Sequence, residues 1–195
     1  MLTFVETIGS SRFNDYASCI TYPTPHSVLE IYNFDLQLRS FFLRSLGAVE
    51  VFLASRVAFM HKGKNTLSFG IVRNYISELP LPEQQKFALD LNLANPRELH
   101  ALLRNFVHVR NLCAHHERLW QRNLQYEIPG RLFTELRKLY GISNPYSVAA
   151  SLMAIQQVNA TFGDHHGLLS EFRTIQANSK LTKELIRKNM GFEVP

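Results

Sequence analysis

Between Ser27 and Met60 the chain carries an apolar pattern too broad for a surface helix. Ile31, Leu38, Phe42, Val49, Leu53 and Val57 recur at helical spacing, and Phe34, Phe41, Phe52 and Phe59 widen the face. Ser27 followed by Glu30 reads as a capping box, so a helix is expected over about 28–60. A helix apolar over so wide an arc must be covered on several sides, which puts it at the centre of a bundle. Arg44, Glu50 and Arg56 interrupt the run, so it is not a membrane span. Asp35 and Arg39 form an i,i+4 pair of the kind that contributes only about 0.2–0.5 kcal/mol. Gly47 in mid-helix costs roughly 1 kcal/mol against Ala, and its expected use is close helix approach.

Elsewhere no alternating apolar run is long enough for a sheet, and the fold class expected is all-α. Further helices are expected at 66–79, 83–91, 95–116, 131–140, 145–162, 167–177 and 182–190. Pro145 would open one of them, and Gly141, Gly163 and Gly191 would end others. Leu2, Phe4, Val5 and Ile8 read as a helix tail. Residues 10–16 read as a connection anchored by Phe13 and Tyr16, and Pro23 and Pro25 exclude a helix around them. His61 to Asn65 and Asp164 to Gly167 read as turns. With 195 residues, 46% of them hydrophobic, the chain suits one domain over 1–195. A net charge of +5 is compatible with RNA as a partner without demanding it. Cys19 and Cys113 make no disulfide framework, and no signal pattern opens the chain, so a cytoplasmic location is expected.

The chemistry concentrates in residues 95–122. Asn95, Pro96 and Glu98 open a helix. Leu99, Leu102, Leu103, Phe106, Val109 and Cys113 then make an apolar stripe, with Cys113 a buried thiol. Arg110 falls within it, continuing the series 99, 103, 106, 110, 113. A guanidinium cannot be neutralised, so either it has a buried acceptor or this face opens onto a cleft or a second subunit. The other face carries Arg104, His108, Asn111 and His115. Arg110 and His115 lie roughly 140° apart on an ideal helix. The helix must therefore bend or end near 114–116, or the site must be built from two copies.

Arg110-Asn111-x-x-x-His115 suits work on a phosphodiester. The guanidinium can bind phosphate bidentately, and the imidazole can move protons near neutral pH. RNA cleavage needs little more, since the substrate's own 2′-OH is the nucleophile. On spacing alone the competing reading is a structural network, with Arg110 held by a carbonyl or a glutamate. A metal site from His108, His115 and His116 with Cys113 or His100 has no HExxH or paired CxxC pattern behind it. In Arg118-Leu119-Trp120-Gln121-Arg122 the Trp can stack a base or lid the core. No GxxxxGK[ST], GxGxxG or GxSxG element is present.

The string from Arg110 to Trp120, RNLCAHHERLW, resembles the signature of the Abi-2 (AbiD/AbiF-like) abortive-infection proteins, which resemble the HEPN superfamily. Phe34 to Arg39, then Val49 to Val51 with Arg56, is similar to that family's long helix. Ile8 to Tyr16 is similar to its opening segment, with Ser10, Ser11, Asn14 and Asp15 departing from the usual residues, and Met190 to Phe192 to its end. The family usually places a further helix ahead of Ile8, so that helix is expected to be absent here. The resemblance implies a HEPN-like helical bundle with additional helices, and a metal-independent, cofactor-free endoribonuclease acting as a phage-defence toxin. It implies a homodimer with RNA as substrate, an antitoxin or phage component as a further partner, and no membrane. Arg110 would bind the scissile phosphate, and His115 would be general base or acid. Asn111 and His116 would support them, with Arg104, His108, Arg118, Trp120 and Arg122 contacting RNA. The alternative is a non-catalytic RNA- or protein-binding module of a defence or toxin–antitoxin system.

Overall fold

The computed structural model describes residues 9–61, 68–163 and 167–193. Among these, nine helices and no strand are present: α1 Ser10–Ala17, α2 Pro25–His61, α3 Phe69–Glu78, α4 Leu81–Asp90, α5 Pro96–Ala114, α6 Gly130–Tyr140, α7 Val148–Thr161, α8 Gly167–Asn178 and α9 Lys183–Met190. The chain is all-α. The expected helix tail at 2–8 and the turns at 62–65 and 164–166 lie outside the described residues.

Helix α2 is the central element, as its apolar arc requires. It packs against α1, α3, α5, α7 and α8. Leu38, Phe41, Phe42, Leu46, Val49 and Leu53 on it are wholly buried. Helix α5 lies beside α2 and also meets α3, α4 and α7. One buried cluster draws residues from all nine helices. Among the described residues no helix is long and apolar enough to cross a membrane.

Three of the departures from expectation have clear local reasons. Helix α2 begins at Pro25, one turn before the expected start. Thr24 Oγ1 accepts from the Ser27 amide at 3.1 Å, and Ser27 Oγ accepts from the Thr24 amide at 3.0 Å. Thr24 is thus the cap and Ser27 its reciprocal partner, while Pro25 sits where a missing N–H costs nothing. Residues 10–17 form a helix rather than a connection, burying Tyr16 and half-burying Phe13 and Ala17. Helix α7 starts after Ser147, whose hydroxyl accepts from the Ala150 amide at 3.1 Å, so Pro145 belongs to the preceding loop.

Gly47 does not mark a close approach. A Cβ built there meets nothing within 4 Å. Gly47→Ala is therefore expected to stabilise the protein by about 0.5–1 kcal/mol, read as a higher urea midpoint at unchanged slope. Gly191 is the opposite case. At φ 96° it ends α9 against the start of α7, and a Cβ there would collide with the Ser147 side chain.

Candidate functional site

Helix α5 has the expected start. Asn95 Oδ1 accepts from the Glu98 amide at 3.0 Å, and Glu98 Oε2 accepts from the Ala94 amide at 2.9 Å. Its end falls at Ala114, within the range expected from the geometry of Arg110 and His115. The His116 amide donates to Cys113 O at 3.1 Å and the Glu117 amide to Leu112 O at 2.9 Å. That pair of bonds is a Schellman ending, in which the left-handed residue is commonly glycine. Here it is His116, at φ 58°. The backbone thus carries a strained non-glycine residue at the motif, with an exposed side chain beside His115. His116→Gly is expected to raise stability by a few tenths to about 1 kcal/mol in chemical denaturation, because it removes the left-handed penalty.

The turn after α5 is fixed by a buried ionic group. Asp35, fully buried, accepts from the Leu119 amide at 3.2 Å and from the Trp120 amide at 2.8 Å. It also accepts from the Tyr16 hydroxyl at 2.6 Å and from Arg39, whose Nη1 reaches the Tyr16 oxygen at 2.6 Å as well. Arg39 is 2% exposed. The Asp35–Arg39 pair is therefore not the weak surface pair its spacing suggested. Burial pushes the Asp35 carboxyl up from its usual range, against the pull of Arg39, the Tyr16 hydroxyl and the two amides. Each partner reaching its oxygens can donate, an arrangement suited to a carboxylate. Through this one group, α1, α2 and the residues after α5 hold a fixed relation.

Tyr16, Arg12 and Asp15 of α1 line one wall of an open, polar cavity of about 570 Å³; His115, His116, Glu117, Arg118 and Arg122 line the rest. Arg118 Nε donates to Asp15 Oδ1 at 3.1 Å and Arg122 Nη2 to Glu117 Oε2 at 2.9 Å. Arg118 also donates to Trp120 O, and Arg122 to Arg118 O. Arg12 has no hydrogen-bond or ion-pair partner among the described residues. The arrangement offers three guanidiniums around two exposed histidines.

Arg110 does not line this cavity. It is about one-third exposed, its Nε lies 3.8 Å from Glu50 Oε2, and its Nη1 is 3.5 Å from Asn111 Oδ1. Glu50 Oε1 accepts from the Phe69 amide at 2.7 Å, so the same carboxylate starts α3. Arg110 is neither sealed in the core nor beside His115 within one copy. Asn111 is exposed, and its carbonyl accepts from the His115 amide at 2.9 Å.

Arg104 is exposed and lies over the Tyr126 ring at 5.9 Å; half-buried His108 meets that ring edge-on at 5.5 Å. His108 Nε2 accepts from the Gln125 amide at 3.4 Å. Burial, then Arg122, pushes its pKa down, which fits an acceptor nitrogen. Trp120 is 1% exposed and packs edge-on against Phe34, so it lids the core and presents no face to a base. Cys113 is buried, its thiol pushed up to about 12 by burial. His100 contacts Gln84 at 2.8 Å. Thus His100, His108, Cys113 and the pair His115–His116 stand in different surroundings. Among the described residues no metal-holding group of three such side chains is gathered.

Arg12, Asp15 and Tyr16 escape a reading of the sequence because 10–16 lacks a side-chain cap and begins on two serines. The i,i+3,i+4 spacing of Phe13, Tyr16 and Ala17 is the available signal. No curated protein and no solved structure matches the chain. The family model described as Abi-like protein matches residues 64–121, a span that covers α3, α4, α5 and the Arg110-to-Trp120 string. Over that segment, under a third of the chain, the protein is similar to the Abi-2 abortive-infection proteins.

Proposed function

We propose that the protein is a HEPN-type, metal-independent endoribonuclease acting in abortive infection, the phage-defence setting that this similarity suggests. One observation carries the reading: His115 stands exposed in a cavity ringed by Arg12, Arg118 and Arg122, just past the end of α5 and five residues after Arg110, which is about one-third exposed. His115 takes the proton of the substrate's 2′-OH as general base, and O2′ attacks the adjacent phosphorus. Arg110 of a second copy holds the non-bridging oxygens as charge builds. The P–O5′ bond breaks, and the partner subunit's His115 returns a proton to the leaving oxygen. Products are a 2′,3′-cyclic phosphate and a 5′-OH. Pairing two copies supplies both groups to one phosphate, which a single straight helix does not.

The test is cleavage of a labelled RNA by the purified full chain in excess chelator, with product ends identified by their response to phosphatase and kinase. Cyclic-phosphate ends with chelator present support the reading; no product, or 3′-OH ends, overturns it. The Glu50 contact supports a second reading, a non-catalytic binding module in which Arg110 is a structural anchor. That module binds RNA without product, and Arg110→Ala in it lowers melting temperature rather than activity.

A further inference from the structure

A second cavity, of about 570 Å³, lies where α3, α4 and the start of α5 meet. Arg73, Arg97, His100 and Arg104 line it, with Asn74, Ser77 and Gln84 the remaining polar residues and no carboxylate among the lining. Among the described residues eight arginines contact a carboxylate, namely 39, 44, 56, 110, 118, 122, 131 and 137. Arg73, Arg97 and Arg104 do not. Arg73 meets only the Asn74 amide oxygen, Arg104 a tyrosine ring, and Arg97 has no hydrogen-bond or ion-pair partner among the described residues. Three unneutralised guanidiniums facing one hollow call for an anion, and planar forks of N–H donors match phosphate oxygens.

The spacing along α5 gives that anion a setting. Residues 97, 100, 104, 108, 111 and 115 step by three or four, so they share one helix face over 18 residues, about 27 Å. The face reads Arg, His, Arg, His, Asn, His, without an acidic residue. One end opens into the arginine cavity and the other into the cavity of His115. Midway the Tyr126 ring stands between Arg104 and His108. Glu117 is the carboxylate that acts on His108, and Arg122 engages it.

We propose that the cavity of Arg73, Arg97 and Arg104 binds a backbone phosphate of single-stranded RNA that runs along this face of α5 to His115. It rests on the reading of His115 as the cleavage end, and it adds the distal grip that holds a strand several nucleotides away. Short substrates do not reach this grip, so its loss changes the binding of long strands and leaves short ones alone.

The experiment uses the full chain and two labelled RNAs of mixed sequence, one of about eight nucleotides, within the usual single-strand range, and one dinucleotide. Anisotropy titrations across salt give affinity and salt slope. The Arg73→Gln/Arg97→Gln pair is expected to weaken the longer strand at least tenfold. It should flatten the slope by about 0.7, the share of the one phosphate no longer neutralised. Dinucleotide cleavage should be unchanged, and circular dichroism should show an intact helix content. Unchanged affinity and slope for the longer strand overturn the proposal, as does tighter binding of an RNA duplex than of the strand. If wild type binds the strand with the expected slope but cleaves nothing, the grip stands and the ribonuclease reading falls. If cleavage proceeds and the double variant binds like wild type, the reverse holds.

Discussion

Asp35→Asn is expected to lower the melting temperature by roughly 6–20 °C. The side chain is fully buried and faces donors: the Tyr16 hydroxyl, the Arg39 guanidinium and the amides of Leu119 and Trp120. An asparagine keeps the volume but removes the charge, leaving Arg39 buried and uncompensated. Breaking such a pair costs about 3–5 kcal/mol. In a chain of this size each kcal/mol moves the midpoint by about 2–4 °C. The pair's members act as a unit, so Asp35→Asn combined with Arg39→Met should lose less than the sum of the two single changes. Activity should fall beyond the loss of folded protein, because the amides released belong to the turn that carries Arg118. A variant melting within a degree or two of wild type would show that the group is not what fixes this turn.

That buried group marks where the sequence stops being legible. The spacing of Asp35 and Arg39 is plain, but spacing gives only that two side chains are neighbours on a helix. Whether the face they share is wet depends on what packs over it, here Tyr16 from α1 and the Leu119–Trp120 backbone from 84 and 85 residues away. The apolar arc of α2 is clear because its many residues each repeat the same signal, and an error at one position does not change the face. The start of α2 differs by one turn because Thr24 and Ser27 are both good caps, and only the backbone tells which is used. Arg110 is a charge on an apolar stripe, as its spacing shows, yet its setting is neither a sealed core nor an open cleft. It lies at the stripe's margin, near a Glu50 that α2 supplies. The end of α5 at Ala114 is one of the alternatives that the spacing of Arg110 and His115 left open, whereas the left-handed His116 that makes the ending has no signal in the sequence, since that position usually signals itself by glycine.

His115→Ala is expected to cut RNA cleavage by about 10²–10⁴-fold, the range for loss of a general base or acid, while the melting curve barely moves. The side chain is exposed, and substitutions at such positions usually stay within about 0.5 kcal/mol. Arg110→Ala separates the two readings of the motif. Its contact with Glu50, at 3.8 Å with both side chains partly solvated, is the kind of pair that contributes about 0–1 kcal/mol. Glu50 also keeps its bond to the Phe69 amide when Arg110 is gone, so α3 retains its start. A catalytic Arg110 therefore predicts a rate loss of about 10²–10³-fold with at most a small shift in stability, as for other groups that meet developing charge. An anchoring Arg110 predicts the converse, a melting temperature several degrees lower with any loss of cleavage explained by the unfolded fraction. Measuring rate and melting temperature on the same two preparations decides between them, and full cleavage by His115→Ala would remove the histidine from the mechanism outright.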